Sequence, residues 1–329
     1  MMMISPKIGM GLVVAVLFAL LFVMLSYSSG YGQVIDGEVR FIRKPLVTHI
    51  VKDYRLDGGE WSFGYFVPVA VAGLFWLRRK ELLNTAVEPA LVGGGAFLVF
   101  GFLFYWAGYR GEQKYFGYAA GQILVLGTIL WFLGWRWFGK LFWLWMLLGM
   151  MWPWRFLIER VSAPLQLIMI KLTSWFLNVV GAGAVASGSS LSTSALDPVT
   201  GDPIALDVHA ACSGMRSLFA LVMIGLVFSF LRVKEEWKRW VLMACVPLVA
   251  VAGNFVRILM LFGGSAVWGT DFAVGEGHEM STFHLVAGLM VFVVALVLLS
   301  LMVAVMEGGW QKVFKRSKVV RREVSREVG

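Results

Sequence analysis

Three residue types that can act together on a peptide carbonyl stand where polar sequence meets apolar sequence: a thiol, a guanidinium and an imidazole. Cys212 lies in DVHAACSGMRSLF (207–219), where a polar segment runs into an apolar one. Arg257 lies in GNFVRI and His284 in TFHLVAG, each near one end of a later apolar run. A thiolate attacks a carbonyl and forms a thioester. A fixed cation at low dielectric holds the developing oxyanion. An imidazole carries the proton that the leaving amine needs. Each residue also has a plainer use. A membrane cysteine usually packs in a core, an arginine snorkels to headgroups, and a histidine sits at the interface. Arginine inside a membrane is costly and by default marks function. A thiol at a helix start faces backbone N–H groups that lower its pKa. Asn254, three residues before Arg257, shares its helix face and is placed to orient it. Arg216, one turn after Cys212, is placed to lower the thiol pKa or to bind a substrate carboxylate.

Other chemistries fit less well. His209, Cys212, His278 and His284 offer three imidazoles and a thiolate, and His209-x-x-Cys212 is an acceptable zinc spacing. No HExxH pattern accompanies them, so no metal is expected and no other cofactor is indicated. Ser213 lacks the GxSxG frame of a serine nucleophile. The second cysteine, Cys245, falls within an apolar run, reads as a packing residue and cannot easily meet Cys212 in a disulfide.

The elements that must position these residues are membrane helices. The 329 residues are 59% hydrophobic and only 15% charged, with a mean hydropathy of +0.77. A soluble domain carries about 25% charge. Several runs reach the ~20 apolar residues that cross a hydrocarbon core. They lack the strict alternation of barrel strands, so the fold class is all-α, a polytopic helical bundle. Eight spans are expected, at 9–25, 61–77, 91–107, 118–133, 138–152, 210–231, 240–262 and 283–306. The first reads as a retained helix rather than a cleaved signal peptide. Pro247 is expected to kink the seventh. Residues 26–60 read as a polar loop. Residues 154–180 carry Lys171, Ser174 and Asn178 on one helical face and read as an outer interfacial helix. In 181–208, Asp197-Pro198 and Gly201-Asp202-Pro203 are turn signals for a short hairpin before Cys212.

Loop charge sets the orientation. Arg78-Arg79-Lys80, Arg136, Lys140, the cluster from Arg232 to Arg239 and a basic tail alternate with loops poorer in such residues. The loop 263–282 has no lysine or arginine but carries Asp271, Glu276 and Glu279. The positive-inside rule then places both termini in the cytoplasm and the protein in the inner, or plasma, membrane. The net charge of +9 is spent on this orientation, so no nucleic-acid partner is implied. Cys212, Arg257 and His284 fall at one depth on the outer, periplasmic side. Arg257, five residues before Phe262, lies roughly 8 Å from the expected outer end of its helix. Three segments follow: 1–60, an N-terminal span and outer loop; 61–306, the membrane core; and 307–329, a basic cytoplasmic tail.

The grouping resembles the exosortase/archaeosortase family of membrane cysteine transpeptidases. ACSGMRS at 211–217, GNFVRI at 253–258 and FHLVAG at 283–288 look like its three motifs, in order on consecutive helices. His284 matches the bacterial exosortase pattern better than the archaeal one. The resemblance covers about 61–305. It implies Cys212 as nucleophile, Arg257 as transition-state stabiliser and His284 as general acid/base. It also implies partners: exported proteins with a C-terminal sorting signal, made of a short motif such as Pro-Glu-Pro, a membrane helix and a basic cluster. The acceptor of the cleaved chain is left open, and membrane lipid surrounds the enzyme. A competing reading is a non-enzymatic membrane subunit of a polysaccharide export or secretion system, with Arg257 lining a pore or binding anionic lipid.

Overall fold

Apolar sequence in a bilayer must satisfy its own backbone, and the apolar runs accordingly form helices. A computed structural model of the chain describes residues 6–26, 28–35, 38–55, 61–188, 190–207, 215–275 and 281–307. The chain is mostly helical and divides into two compact units, Met1–Arg155 and Phe156–Gly329.

The first unit holds α1 (Pro6–Ser26), strands β1 (Ser28–Ile35) and β2 (Glu38–Pro45), α2 (Leu46–Arg55), α3 (Val67–Leu83), α4 (Leu91–Arg110), α5 (Lys114–Phe132) and α6 (Trp135–Gly149). The expected polar loop at 26–60 is thus a correction. It contains an antiparallel hairpin, registered from Ser28↔Pro45 to Ile35↔Glu38, and a helix. Helix α2 buries Leu46, Ile50, Asp53 and Tyr54 at helical spacing. Its buried Asp53 takes Lys114 Nζ at 2.6 and 2.8 Å and the Tyr118 hydroxyl at 3.3 Å. Paired in this way, the carboxylate is tolerated out of water. Helices α4 and α5 pack closely because Gly94, Gly101 and Gly108 recur on one stripe of α4. A Cβ at Gly94 would stand 2.5 Å from the Trp131 backbone nitrogen, and one at Gly101 would stand 2.8 Å from Leu124. Small residues at such contacts are how membrane helices gain dispersion energy.

The second unit holds α7 (Arg155–Val179), β3 (Val185–Ser187), β4 (Ser190–Leu196), β5 (Pro203–Asp207), α8 (Met215–Arg232), α9 (Glu236–Trp268), α10 (Thr270–Ala273) and α11 (Thr282–Met306). Helix α9 is the axis. Its 33 residues run unbroken through Pro247. That is roughly 50 Å of helix, well beyond a ~30 Å hydrocarbon core. Helix α8 meets it at Gly225, whose Cβ would lie 2.7 Å from Val246. Helix α11 meets it at Gly253, whose Cβ would lie 2.9 Å from Val291. Leu221, Leu242, Val246, Ala295 and Leu299 fill the space among the three helices.

The described residues between 181 and 207 form a three-stranded antiparallel sheet in the order β3-β4-β5, one strand more than a hairpin. Leu191, Ile204 and Leu206 are buried in one cluster with Leu177, Leu261, Phe262 and Ala287. The polar stripe of α7 has a local use: Asn178 donates to the Ala184 carbonyl at 2.9 Å and accepts the Ala184 N–H at 2.7 Å. This pins the chain as it leaves the helix for β3. Four described helices, α4, α5, α9 and α11, are long and apolar enough to cross a membrane. At 17 and 15 residues, α3 and α6 are shorter than that.

Candidate active site

Arg257 and His284 come from different helices and meet. Arg257 Nη2 lies 2.7 Å from His284 Nε2. Two features bring them together. The close approach of α9 and α11 at Gly253 leaves Arg257, one turn later, beside the start of α11. Gly288, one turn after His284, leaves room for the guanidinium. A Cβ there would touch only Arg257 Cζ, at 4.0 Å.

The position of Arg257 along its helix differs from expectation. Helix α9 does not end at Phe262 but continues through the two glycines to Trp268. Arg257 therefore lies eleven residues from the helix end, roughly 17 Å rather than 8 Å. The extension is held by tertiary contacts that outweigh the poor helix propensity of glycine. Phe283 sits on Gly264, where a Cβ would be 2.7 Å from its ring. Trp268, Phe272 and Phe283 form an aromatic cluster with centroids 5.6 to 6.0 Å apart. The expected loop at 263–282 thus begins as helix, and α10 follows at once.

His284 is 5% exposed and is the third residue of α11. Ser281 is the N-cap of that helix. Its hydroxyl accepts the His284 N–H at 3.0 Å and donates to the Ala273 carbonyl at 2.9 Å. One hydroxyl can do both. The Ser281 N–H reaches the Val274 carbonyl at 3.2 Å. The last residues of α10 therefore hold the first turn of α11.

The contact fixes a tautomer. Guanidinium has donors only, so Nε2 must accept and the imidazole proton is assigned to Nδ1. Among the described residues, His284 Nδ1 and Arg257 Nε are buried with no acceptor in hydrogen-bonding geometry. An unmet buried donor costs about 1–3 kcal/mol, so both atoms call for a partner, a water or a bound group among them.

The remaining candidates are placed as follows. Cys212 lies outside the described residues, as do His209, Ser213 and His278. Arg216 falls in the first turn of α8. Asn254 is buried on α9, one turn before Arg257. Cys245 is a half-buried free thiol within α9. No cluster of metal-ligating side chains occurs among the described residues. Gly288, Ser281 and the short helix α10 went unread in the sequence. The signal for Ser281 was there, a serine immediately before an apolar run.

No curated protein and no solved structure matches the chain. The model of the family described as Transmembrane exosortase (Exosortase_EpsH) matches residues 56–301. That span contains Cys212 and the Arg257–His284 pair, and it covers three quarters of the chain. The chain is therefore a member of the transmembrane exosortase family.

Proposed function

We propose that this protein is a membrane cysteine transpeptidase or endopeptidase. It cleaves C-terminal sorting signals of the Pro-Glu-Pro type from exported proteins, through a thioester on Cys212. The observation that carries this reading is the pairing of Arg257 with His284. Two ionisable residues, one from each of two membrane helices, meet with His284 buried and Arg257 half-buried. Structural packing has no need of that arrangement, whereas acyl transfer does.

The chemistry follows from the atoms. At rest Arg257 occupies the Nε2 lone pair, so His284 cannot take a proton there. When substrate enters, the guanidinium turns from Nε2 to the scissile carbonyl oxygen. The freed Nε2 then takes the thiol proton of Cys212, and Sγ attacks the carbonyl carbon. Arg257 holds the oxyanion. The imidazolium returns its proton to the departing amine as the C–N bond breaks. An acceptor amine or hydroxyl, or water, then attacks the thioester and restores the thiol. One guanidinium thus serves as cover for the base and as oxyanion donor, but not both at once. In this reading Arg216, four residues after Cys212, lowers the thiol pKa or binds a substrate carboxylate, and Asn254 orients Arg257.

The same reading gives eight membrane spans with both ends in the cytoplasm. The helix Arg155–Val179 lies at the outer interface, and the site opens on the outer face of the inner membrane. There a substrate can be cut just outside its own membrane helix. The test follows a tailed reporter on a gel in cells. Cys212→Ala abolishes processing, while Cys245→Ala leaves it largely intact. Equal processing by Cys212→Ala and wild type removes the cysteine mechanism.

A further inference from the structure

The turn between β4 and β5 does more than reverse the chain. Asp197 at its start is buried. Oδ1 accepts the N–H of Val199 at 2.8 Å and that of Thr200 at 3.2 Å, which closes the turn on itself. Oδ2 leaves the turn and accepts the N–H of Thr270 at 2.6 Å. Thr270 is the first residue of α10. The turn lies against Gly269, which has φ +94°. A Cβ there would stand 2.8 Å from Val199 and 3.3 Å from Asp197. A side chain at 269 would therefore separate the turn from the end of α9.

Helix α10 is four residues long, too short to sustain itself. It is held at both ends. Asp197 holds its start. At its finish, the Ala273 and Val274 carbonyls hold Ser281, whose hydroxyl caps α11 at His284. From this we infer that Asp197 is a positioning residue for His284. The outer sheet, through Asp197 and α10, sets where the first turn of α11 stands and hence where the imbedded imidazole meets Arg257. The inference rests on the reading of His284 as the proton-transfer residue, but the clamp itself is a matter of geometry. The Thr270 side chain, then the N–H groups of Val199 and Thr270, hold the Asp197 carboxyl down at about 2. The clamp is accordingly charged throughout the physiological range.

The experiment uses the full-length protein in detergent micelles, with diethyl pyrocarbonate as the histidine probe. The rate of modification is read by peptide mass spectrometry at His284, and at His49 as an internal control. Asp197→Asn keeps the size but replaces one acceptor oxygen by an amide donor. It is expected to raise the rate at His284 several-fold and leave His49 unchanged. Ser281→Ala does the same, and Ser281→Thr, which keeps the hydroxyl, restores the wild-type rate. An unchanged rate at His284 in Asp197→Asn overturns the inference. A rise at both histidines together also overturns it, since the carboxylate would then be holding the fold at large. Processing of a tailed reporter is measured alongside. Loss of geometry of this kind is expected to cost roughly 10–100-fold, with Ser281→Thr near wild type. If even the wild type processes no such reporter, the proposed substrate fails, and the labelling comparison still decides the clamp.

Discussion

Gly288 tests whether the guanidinium needs this space to reach both Nε2 and the scissile carbonyl. A Cβ added there meets only Arg257 Cζ, at 4.0 Å, an ordinary contact. Gly288→Ala therefore fits. It also removes a helix-interior glycine, a change worth about 0.5–1 kcal/mol in the helix's favour. Leucine is different. Its Cγ reaches about 1.5 Å further, which leaves roughly 2.5 Å to Cζ along the same line, against an optimum of about 3.5–4.0 Å between carbons. The guanidinium must then give way by about 1 Å. A displacement of that size costs on the order of 10²-fold in rate, or about 2.7 kcal/mol at the transition state. The assay is processing of a tailed reporter, normalised to inserted enzyme. Gly288→Ala is expected near wild type and Gly288→Leu about a hundredfold slower, with equal accumulation of both. Equal rates for the two would refute the reasoning, because the guanidinium would then work from wherever it is pushed.

Arg257→Lys keeps a charge but loses the planar fork. If the oxyanion is held by fixed donors of that fork, processing should fall by ~10²–10³-fold, and near-wild-type activity would take Arg257 out of the mechanism. His49 lies on α2, outside the spans. Burial first, then the Lys114 charge, lowers its pKa from 6.5 to about 4. Its folded pKa is below the unfolded one, so its contribution is full above pH 6.5 and is lost as pH falls from there through about 4. His49→Gln should flatten the thermal stability of the purified protein across that window, and an unchanged slope would contradict the burial. Reporter fusions at Ser192 and Gly275 should report export, and those at Glu236 and the C-terminus the cytoplasm. A cytoplasmic signal at Gly275 would put the site on the wrong side.

What was legible in the sequence was whatever hydrophobicity controls. Apolar runs long enough to cross a bilayer announce themselves, and the described helices α4, α5, α9 and α11 coincide with four of them. The expectation that Arg257 and His284 share one depth rested on loop charge and on a helix end at Phe262, whereas α9 runs on to Trp268 and the two residues meet at 2.7 Å all the same. What was not legible depended on contacts between distant residues. Gly263-Gly264 reads as a helix end, yet α9 runs on because Phe283 needs the bare face of Gly264. Residues 28–45 are too mixed in charge to read as strands, and only their mutual pairing makes them a hairpin. Asp197 read as one more turn residue. Its second oxygen reaches Thr270, seventy-three positions away, which no local pattern reveals.

The central claim is a covalent one, that the substrate acyl group rests on Cys212. Full-length Cys245→Ala protein in proteoliposomes is mixed with a peptide carrying the sorting motif and membrane helix, quenched in acid, digested and mapped by mass. The account predicts an adduct on Cys212 with the mass of the N-terminal fragment, released by neutral hydroxylamine and absent from Cys212→Ala. Peptide cleaved at the wild-type rate by Cys212→Ala, or an acyl group found on any other residue, would contradict it.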